Sequence, residues 1–171
     1  MFETLKVTYK VLKGSFKMAK QGGVQDYTSN QVKAGKYNEK IDFNGCNVYT
    51  MNNDDIVLGC GFRFGACVVI PGFDIFEHGQ CVIVYEKKAL ELGVDEFIKY
   101  HEMGHIVNEI LTGKFSIERS LANEFEADLY AAKQIGISKA IEALRIMANQ
   151  KACDADEIEL RIGFLKLQQE K

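Results

Sequence analysis

The stretch His101-Glu102-Met103-Gly104-His105 decides how the rest of the chain is interpreted. On a helix, residues four apart lie on one face, so the imidazoles of His101 and His105 can converge on one point. Glu102 lies at the edge of that face, where its carboxylate can reach a metal-bound water without being a ligand itself. The alternative is an ordinary exposed helix that happens to carry two of the three histidines.

A catalytic zinc ion takes three protein ligands and leaves a fourth position for water, so a third ligand must lie elsewhere. The segment 123–132 reads Asn-Glu-Phe-Glu-Ala-Asp-Leu-Tyr-Ala-Ala. Glu124 and Asp128 share a helix face, whereas Glu126 lies about 200° round from Glu124. One of the two carboxylates can bind zinc while the other accepts a hydrogen bond from a ligand imidazole. A solvated acidic helix face is the alternative interpretation.

Composition bounds the class of protein. The chain has 171 residues, 47% of them apolar and 26% charged, which is typical of one ordinary globular domain. We expect a single domain over 1–171, β-rich over 1–85 and helical over 86–171. The net charge of −3 gives no electrostatic reason to expect nucleic acid or an anionic membrane as a partner. The six lysines between residues 13 and 40 are the only feature that favours nucleic acid.

No apolar run is long enough to span a bilayer, and the start lacks the apolar core of a signal peptide. These features predict a soluble, cytoplasmic protein without a membrane partner. The five cysteines show no CxxC spacing, so buried, reduced thiols are expected. A disulfide between Cys60 and Cys67 across a hairpin is the less favoured alternative.

Alternating or continuous apolar residues predict strands at 4–12, 41–43, 46–50, 56–58, 66–70 and 81–85. The lysine- and glycine-containing segment 13–40 is interpreted as a solvated connection with a short strand or helical turn, or else as a mobile basic loop that touches a partner. Residues 72–80 are predicted to form a loop that carries His78.

The second half changes to helical periodicity. Helices are predicted over 95–112, 117–135, 138–149 and 154–168, with glycines 113 and 136 as stops. Strands followed by helices predict an α+β fold. Gly104 inside the first of these helices costs about 1 kcal/mol relative to Ala. We therefore expect another backbone to approach it closely.

The pentapeptide and Glu124-Phe-Glu-Ala-Asp128, nineteen residues after His105, together resemble the gluzincin class of zinc metallopeptidases. The likeness covers about residues 80–148 and is closest to the HtpX and CAAX-prenyl endopeptidase group, with similarity to ImmA/IrrE-type peptidases. It implies a zincin-like fold and one zinc ion bound by His101, His105 and Glu124. It also implies that Asp128 supports a ligand imidazole, and it makes Glu126 the less favoured ligand.

The sequence also departs from these families. HtpX-like peptidases have transmembrane helices that this chain lacks, and ImmA/IrrE-type proteins often have Asn at the position of Asp128. Residues 1–79 resemble no family that we can name. The resemblance therefore supports a reaction class more than a biological role.

The resemblance implies hydrolysis of a protein or peptide substrate, with Glu102 as general base. In zincins the substrate usually adds to an edge strand, here expected at Val82–Tyr85. Candidates for stabilising the transition state are His78, Tyr85, Tyr100, Tyr130 and Arg119. A third zinc ligand at His78 is chemically possible but fits its position poorly. The alternative function is a non-catalytic, zinc-containing binding or regulatory module on the same scaffold. The sequence specifies neither the substrate nor the oligomeric state.

Overall fold

The computed structural model describes residues 22–43, 45–59, 64–69, 80–112, 120–150 and 154–169. These residues form an α+β protein in which a small mixed sheet precedes a helical half. The chain divides into two compact units, Met1–Lys87 and Lys88–Lys171. The predicted change from β-rich to helical at residue 85 lies next to this boundary.

The first unit contains a four-stranded sheet with the order β1-β2-β4-β3. Its strands are β1 (Glu39–Phe43), β2 (Cys46–Asn52), β3 (Gly65–Val69) and β4 (Gln80–Tyr85). β1 and β2 form an antiparallel hairpin, β2 and β4 are parallel, and β3 and β4 are antiparallel. Four of the predicted strands are thus confirmed, whereas the strand predicted over 4–12 lies outside the described residues.

The prediction that Val82–Tyr85 forms an edge strand is wrong. β4 pairs with β2 on one side and β3 on the other, so its backbone donors and acceptors face two neighbours. The four residues from Cys81 to Val84 have no exposed surface. A continuous apolar run is typical of a strand covered on both faces. A substrate strand therefore has no free backbone edge on β4.

The strand predicted over 56–58 is also wrong, because these residues belong to helix α2 (Asp54–Gly59). The Asn53 side chain accepts a hydrogen bond from the Ile56 backbone N–H at 3.2 Å, as an N-cap residue does. Asp54 and Asp55 then fall in the first helical turn, where negative charge is favourable. The polar residues before Ile56 therefore begin a helix.

Within the segment predicted as a solvated connection, residues Val24–Lys33 form helix α1. This is a longer element than the single helical turn that the sequence suggested. Tyr27 of α1 joins Ile56 and Val57 of α2 in a cluster with residues of one face of the sheet, including Val82 and Val84. This cluster forms an apolar core among the described residues of the first unit.

The helices that follow β4 are α3 (Lys87–Leu92), α4 (Asp95–Thr112), α5 (Leu121–Ile135), α6 (Ile137–Asn149) and α7 (Ala155–Gln169). The predicted bounds of α4 are confirmed. Ser120 caps α5 by accepting the Asn123 N–H at 3.2 Å, and Gly136 ends it with a φ of 94°. Helix α6 begins at Ile137, one residue before its predicted start at 138.

Gly104 lies where α4 and α5 come closest together. A Cβ atom at this position would lie 2.7 Å from Cα and 3.0 Å from the carbonyl oxygen of Ala127. Backbone atoms of a packed helix do not move aside easily, so only glycine fits. The close approach predicted for Gly104 is confirmed, and it brings the histidine face of α4 against α5.

Two further predictions concern the thiols and the membrane. Cys46, Cys67 and Cys81 carry free thiols, while Cys60 lies outside the described residues. Among the helices that the structure describes, none has the length and apolar character needed to cross a membrane.

Candidate metal centre

Three side chains on two helices of the second unit place their nitrogen and oxygen atoms close together. His101 and His105 lie one turn apart on α4, and Glu124 lies in the first turn of α5. His101 and Glu124 are buried, with 6% and 2% of their surface exposed, while the side chain of His105 keeps 23%. The cluster is therefore enclosed on the His101 side and open to solvent at His105.

The distances within this cluster suit a metal ion. The Nε2 atoms of His101 and His105 are 3.1 Å apart. Glu124 places Oε2 at 3.4 Å from Nε2 of His101 and Oε1 at 3.6 Å from Nε2 of His105. Donor atoms of a tetrahedral zinc site with bonds of about 2.0–2.2 Å are separated by about 3.3–3.6 Å. The His101, His105 and Glu124 cluster could thus bind a metal ion with little rearrangement.

Asp128 fixes the orientation of the His101 ring. Its Oδ1 lies 2.8 Å from Nδ1 of His101 and accepts a hydrogen bond from it. Because the Nδ1 proton is engaged by Asp128, the lone pair for a metal is on Nε2, the atom that faces His105 and Glu124. Asp128 has no exposed surface, so its carboxylate has a fixed position.

The charges around His101 favour its protonated form when no metal is bound. Burial acts to lower the pKa of His101, but the hydrogen bonds to Asp128 and Glu124 raise it more strongly, to about 9. Burial likewise acts to raise the pKa of Asp128, whereas hydrogen bonds from Arg161 and His101 lower it below its usual value. Asp128 is therefore ionised at neutral pH.

Arg161 contacts the carboxylates of Glu124 and Asp128, and the sequence analysis did not identify it. Its Nε and Nη2 donate to the two oxygens of Asp128 at 2.7 and 2.6 Å. Its Nη1 lies 3.0 Å from Oε2 of Glu124. A signal was present, because Arg161 lies on the same face of α7 as Ile158, Ile162 and Leu165, all of them buried. A charged residue on an apolar helix face requires buried partners.

The structure separates Glu126 from the cluster. Its Oε2 accepts a hydrogen bond from Nδ2 of Asn108 at 2.7 Å in an exposed contact. Glu126 is not one of the three residues whose donor atoms converge. This placement disfavours the alternative in which Glu126 is the third ligand.

The other candidates have different surroundings. Glu102 directly follows His101 on α4 and is half-buried. Burial and the charge of Tyr100 raise the pKa of Tyr130 on α5. Tyr85 belongs to β4 in the first unit, where its hydroxyl accepts a hydrogen bond from Asn38 at 3.2 Å. His78 and Arg119 lie outside the described residues.

Comparison with known proteins leaves the chain without an assigned relative. No protein-family model matches it, and neither a curated protein nor a solved structure shows significant similarity to it. Its function must therefore be inferred from the cluster itself.

Proposed function

We propose that this chain is a zinc metallopeptidase with a zincin-like fold, related in its active site to the gluzincins. The observation that carries the proposal is the convergence of His101, His105 and Glu124, with donor-atom separations of 3.1, 3.4 and 3.6 Å. The second observation is the placement of Glu102, which follows the first histidine on the same helix. A site with a purely structural metal has no need of a carboxylate at that position.

The donor set favours zinc over magnesium or calcium. Two imidazole nitrogens and one carboxylate are ligands typical of catalytic zinc, whereas magnesium and calcium prefer oxygen ligands. Three protein ligands leave a position for water, and the partial exposure of His105 provides access from solvent. A zinc ion bound there would lower the pKa of a water molecule and polarise a scissile carbonyl.

The residues of the chain have separate roles in this mechanism. Glu102 accepts a proton from the attacking water on its carboxylate and then donates it to the leaving amine. Asp128 keeps the proton of His101 on Nδ1, which leaves Nε2 free to act as a ligand. Glu124 supplies the anionic ligand and reduces the net charge of the loaded site.

The test begins with protein purified without a metal-binding tag. Metal analysis is expected to find about one zinc per chain, and unfolded casein or a mixed peptide library is expected to be cleaved. A chelator should abolish cleavage and added zinc should restore it. The Glu102→Gln variant should retain zinc and its thermal melting temperature but lose cleavage by at least about 10²-fold.

Two results would contradict the proposal. Protein that contains no zinc and is not stabilised by added zinc would remove the metal site. Protein that binds zinc but does not cleave the library, with no change in cellular phenotype for Glu102→Gln, would favour a non-catalytic binding or regulatory module.

A further inference from the structure

Arg161 joins the two carboxylates that contact the histidines, Asp128 against His101 and Glu124 between His101 and His105. We propose that it is a positioning residue of the metal centre, which fixes Asp128 behind His101 and holds the carboxylate of Glu124 beside the two histidines. The inference rests on the proposed metal site, but it concerns metal binding and not peptide cleavage. Nothing in the HExxH or Glu-x-x-Ala-Asp pattern includes this residue.

The geometry of the guanidinium carries the proposal. Two of its nitrogens take the two oxygens of Asp128 at 2.7 and 2.6 Å, and the third lies 3.0 Å from Oε2 of Glu124. The guanidinium is planar, so these three contacts fix the two carboxylates relative to each other. An ammonium group carries the same charge but cannot present this fork.

Burying a charged group is unfavourable unless the group is paired. The burial of Arg161 therefore indicates that its contacts with the two carboxylates have a function. Only 2% of Arg161 is exposed, and its neighbours on the helix face are apolar. Glu157, 3.4 Å from Nη1, has 40% of its side chain exposed and is the outermost contact. A buried ion pair is weak evidence for stability in itself, because well-packed apolar residues often serve as well. A role in holding the metal ligands explains why a charged group is present here.

The consequence for the site concerns the two oxygens of Glu124. Arg161 forms an ion pair with Oε2 at 3.0 Å, and the same oxygen lies 3.4 Å from Nε2 of His101. The other oxygen, Oε1, lies 3.6 Å from Nε2 of His105. The guanidinium therefore holds the carboxylate with one oxygen toward each histidine, the orientation in which Glu124 would serve as a metal ligand.

The decisive variant is Arg161→Lys, because it preserves the charge and removes the fork. Zinc affinity, measured by competition with a chromophoric chelator, is expected to fall about 10- to 100-fold. The Co(II)-loaded variant is expected to lose part of the intense visible absorption of four-coordinate cobalt as Glu124 rearranges. Arg145→Lys, at an exposed position on α6, is the matched control, and Glu157→Gln tests the outer contact. Both should stay within about twofold of wild type.

A second measurement uses the unaltered protein, so it decides the question even if the lysine variant does not fold. In ¹⁵N spectra of the arginine side chains, the Nε–H of Arg161 should be protected from exchange both before and after zinc is added. Loss of that protection on zinc binding would overturn the proposal. So would a folded Arg161→Lys variant with wild-type zinc affinity and an unchanged cobalt spectrum. Because neither readout is cleavage, the outcome is independent of whether the chain proves to be a peptidase.

Discussion

Arg161 and Asp128 are 33 residues apart in sequence and share two hydrogen bonds of 2.7 and 2.6 Å. Asp128 in turn accepts the Nδ1 proton of His101 at 2.8 Å. A single carboxylate therefore connects α4, α5 and α7 at the point where the candidate ligands meet. Its loss should affect both the stability of the helical unit and the affinity for metal.

Asp128→Asn is expected to destabilise the metal-free protein by about 3–5 kcal/mol, because one buried charge loses its ionised partner. The amide oxygen can replace only one carboxylate oxygen, so the NH₂ group opposes either the Nε–H of Arg161 or, in the other orientation, the Nδ1–H of His101. Zinc affinity should fall about 10- to 100-fold as the ring loses its fixed orientation. Denaturant unfolding and chelator competition measure the two effects.

Asp156→Asn is the control for this change, since Asp156 is exposed in the first turn of α7. It should alter the free energy of unfolding by less than about 0.5 kcal/mol and leave zinc binding unchanged. Equal effects of the two variants would contradict a specific role for Asp128.

Gly104→Ala provides a test of the contact between α4 and α5. Helix propensity alone would make this change stabilising by about 1 kcal/mol. The added Cβ would instead meet backbone atoms of Ala127 at 2.7 and 3.0 Å, so we expect a loss of about 1–3 kcal/mol. Thermal or denaturant unfolding of the metal-free protein measures whether the free energy of unfolding rises or falls.

Gly163 in α7 supplies the matched comparison, because a Cβ there meets no atom within 4 Å. Gly163→Ala is expected to stabilise the protein by up to about 1 kcal/mol. If both alanine variants were stabilised alike, the close approach at Gly104 would be refuted.

The predictable parts of the structure are those set by local sequence. The bounds of α4 followed from its apolar periodicity and polar ends, and the requirement for glycine at position 104 followed from its cost in a helix. Glu124 and Asp128 were identifiable because i,i+4 spacing places both on one face. Their placement beside His101 agrees with what the resemblance to gluzincins implies, although the identity of the metal remains a prediction.

The features that could not be predicted depend on long-range packing. Strand order is a non-local property, so the apolar run of β4 did not reveal that the strand lies between β2 and β3. The three apolar residues 56–58 are too few to show a period, and the hydrogen bond by which Asn53 caps the helix is visible only in the structure. Arg161 lies outside both motifs, and only its position among buried apolar residues of α7 indicated that it has buried partners.

The pKa of His101 makes zinc binding pH-dependent. In the metal-free protein burial lowers this pKa, but contacts with Asp128 and Glu124 raise it to about 9 from the ordinary value of 6.5. Zinc requires the unprotonated Nε2, so binding at pH 7 should release about one proton from His101. Apparent zinc affinity should rise up to about tenfold per pH unit until about pH 9. Calorimetry in buffers of different ionisation enthalpy measures the released protons.

The raised pKa of His101 also makes the stability of the metal-free protein depend on pH. A pKa raised in the folded state stabilises it fully below the unfolded value of 6.5, and this contribution is lost as the pH rises through about 9. Chelator-treated protein should therefore lose stability between these values, by roughly 3 kcal/mol if no other group compensates. In His101→Gln this pH-dependent loss should disappear. Its persistence there would show that another group is responsible.

The final prediction distinguishes the two candidate acidic ligands on α5. Glu124→Gln replaces the carboxylate that lies 3.4 and 3.6 Å from the two histidine Nε2 atoms by a neutral amide. Because zinc favours an anionic oxygen, its affinity should fall by more than about tenfold, and any zinc-dependent cleavage should fall with it. Glu126→Gln makes the same chemical change at an exposed side chain that contacts Asn108, so zinc affinity should change by less than about twofold. Direct titration of both metal-free variants decides between them, and a larger loss for Glu126→Gln would reassign the third ligand.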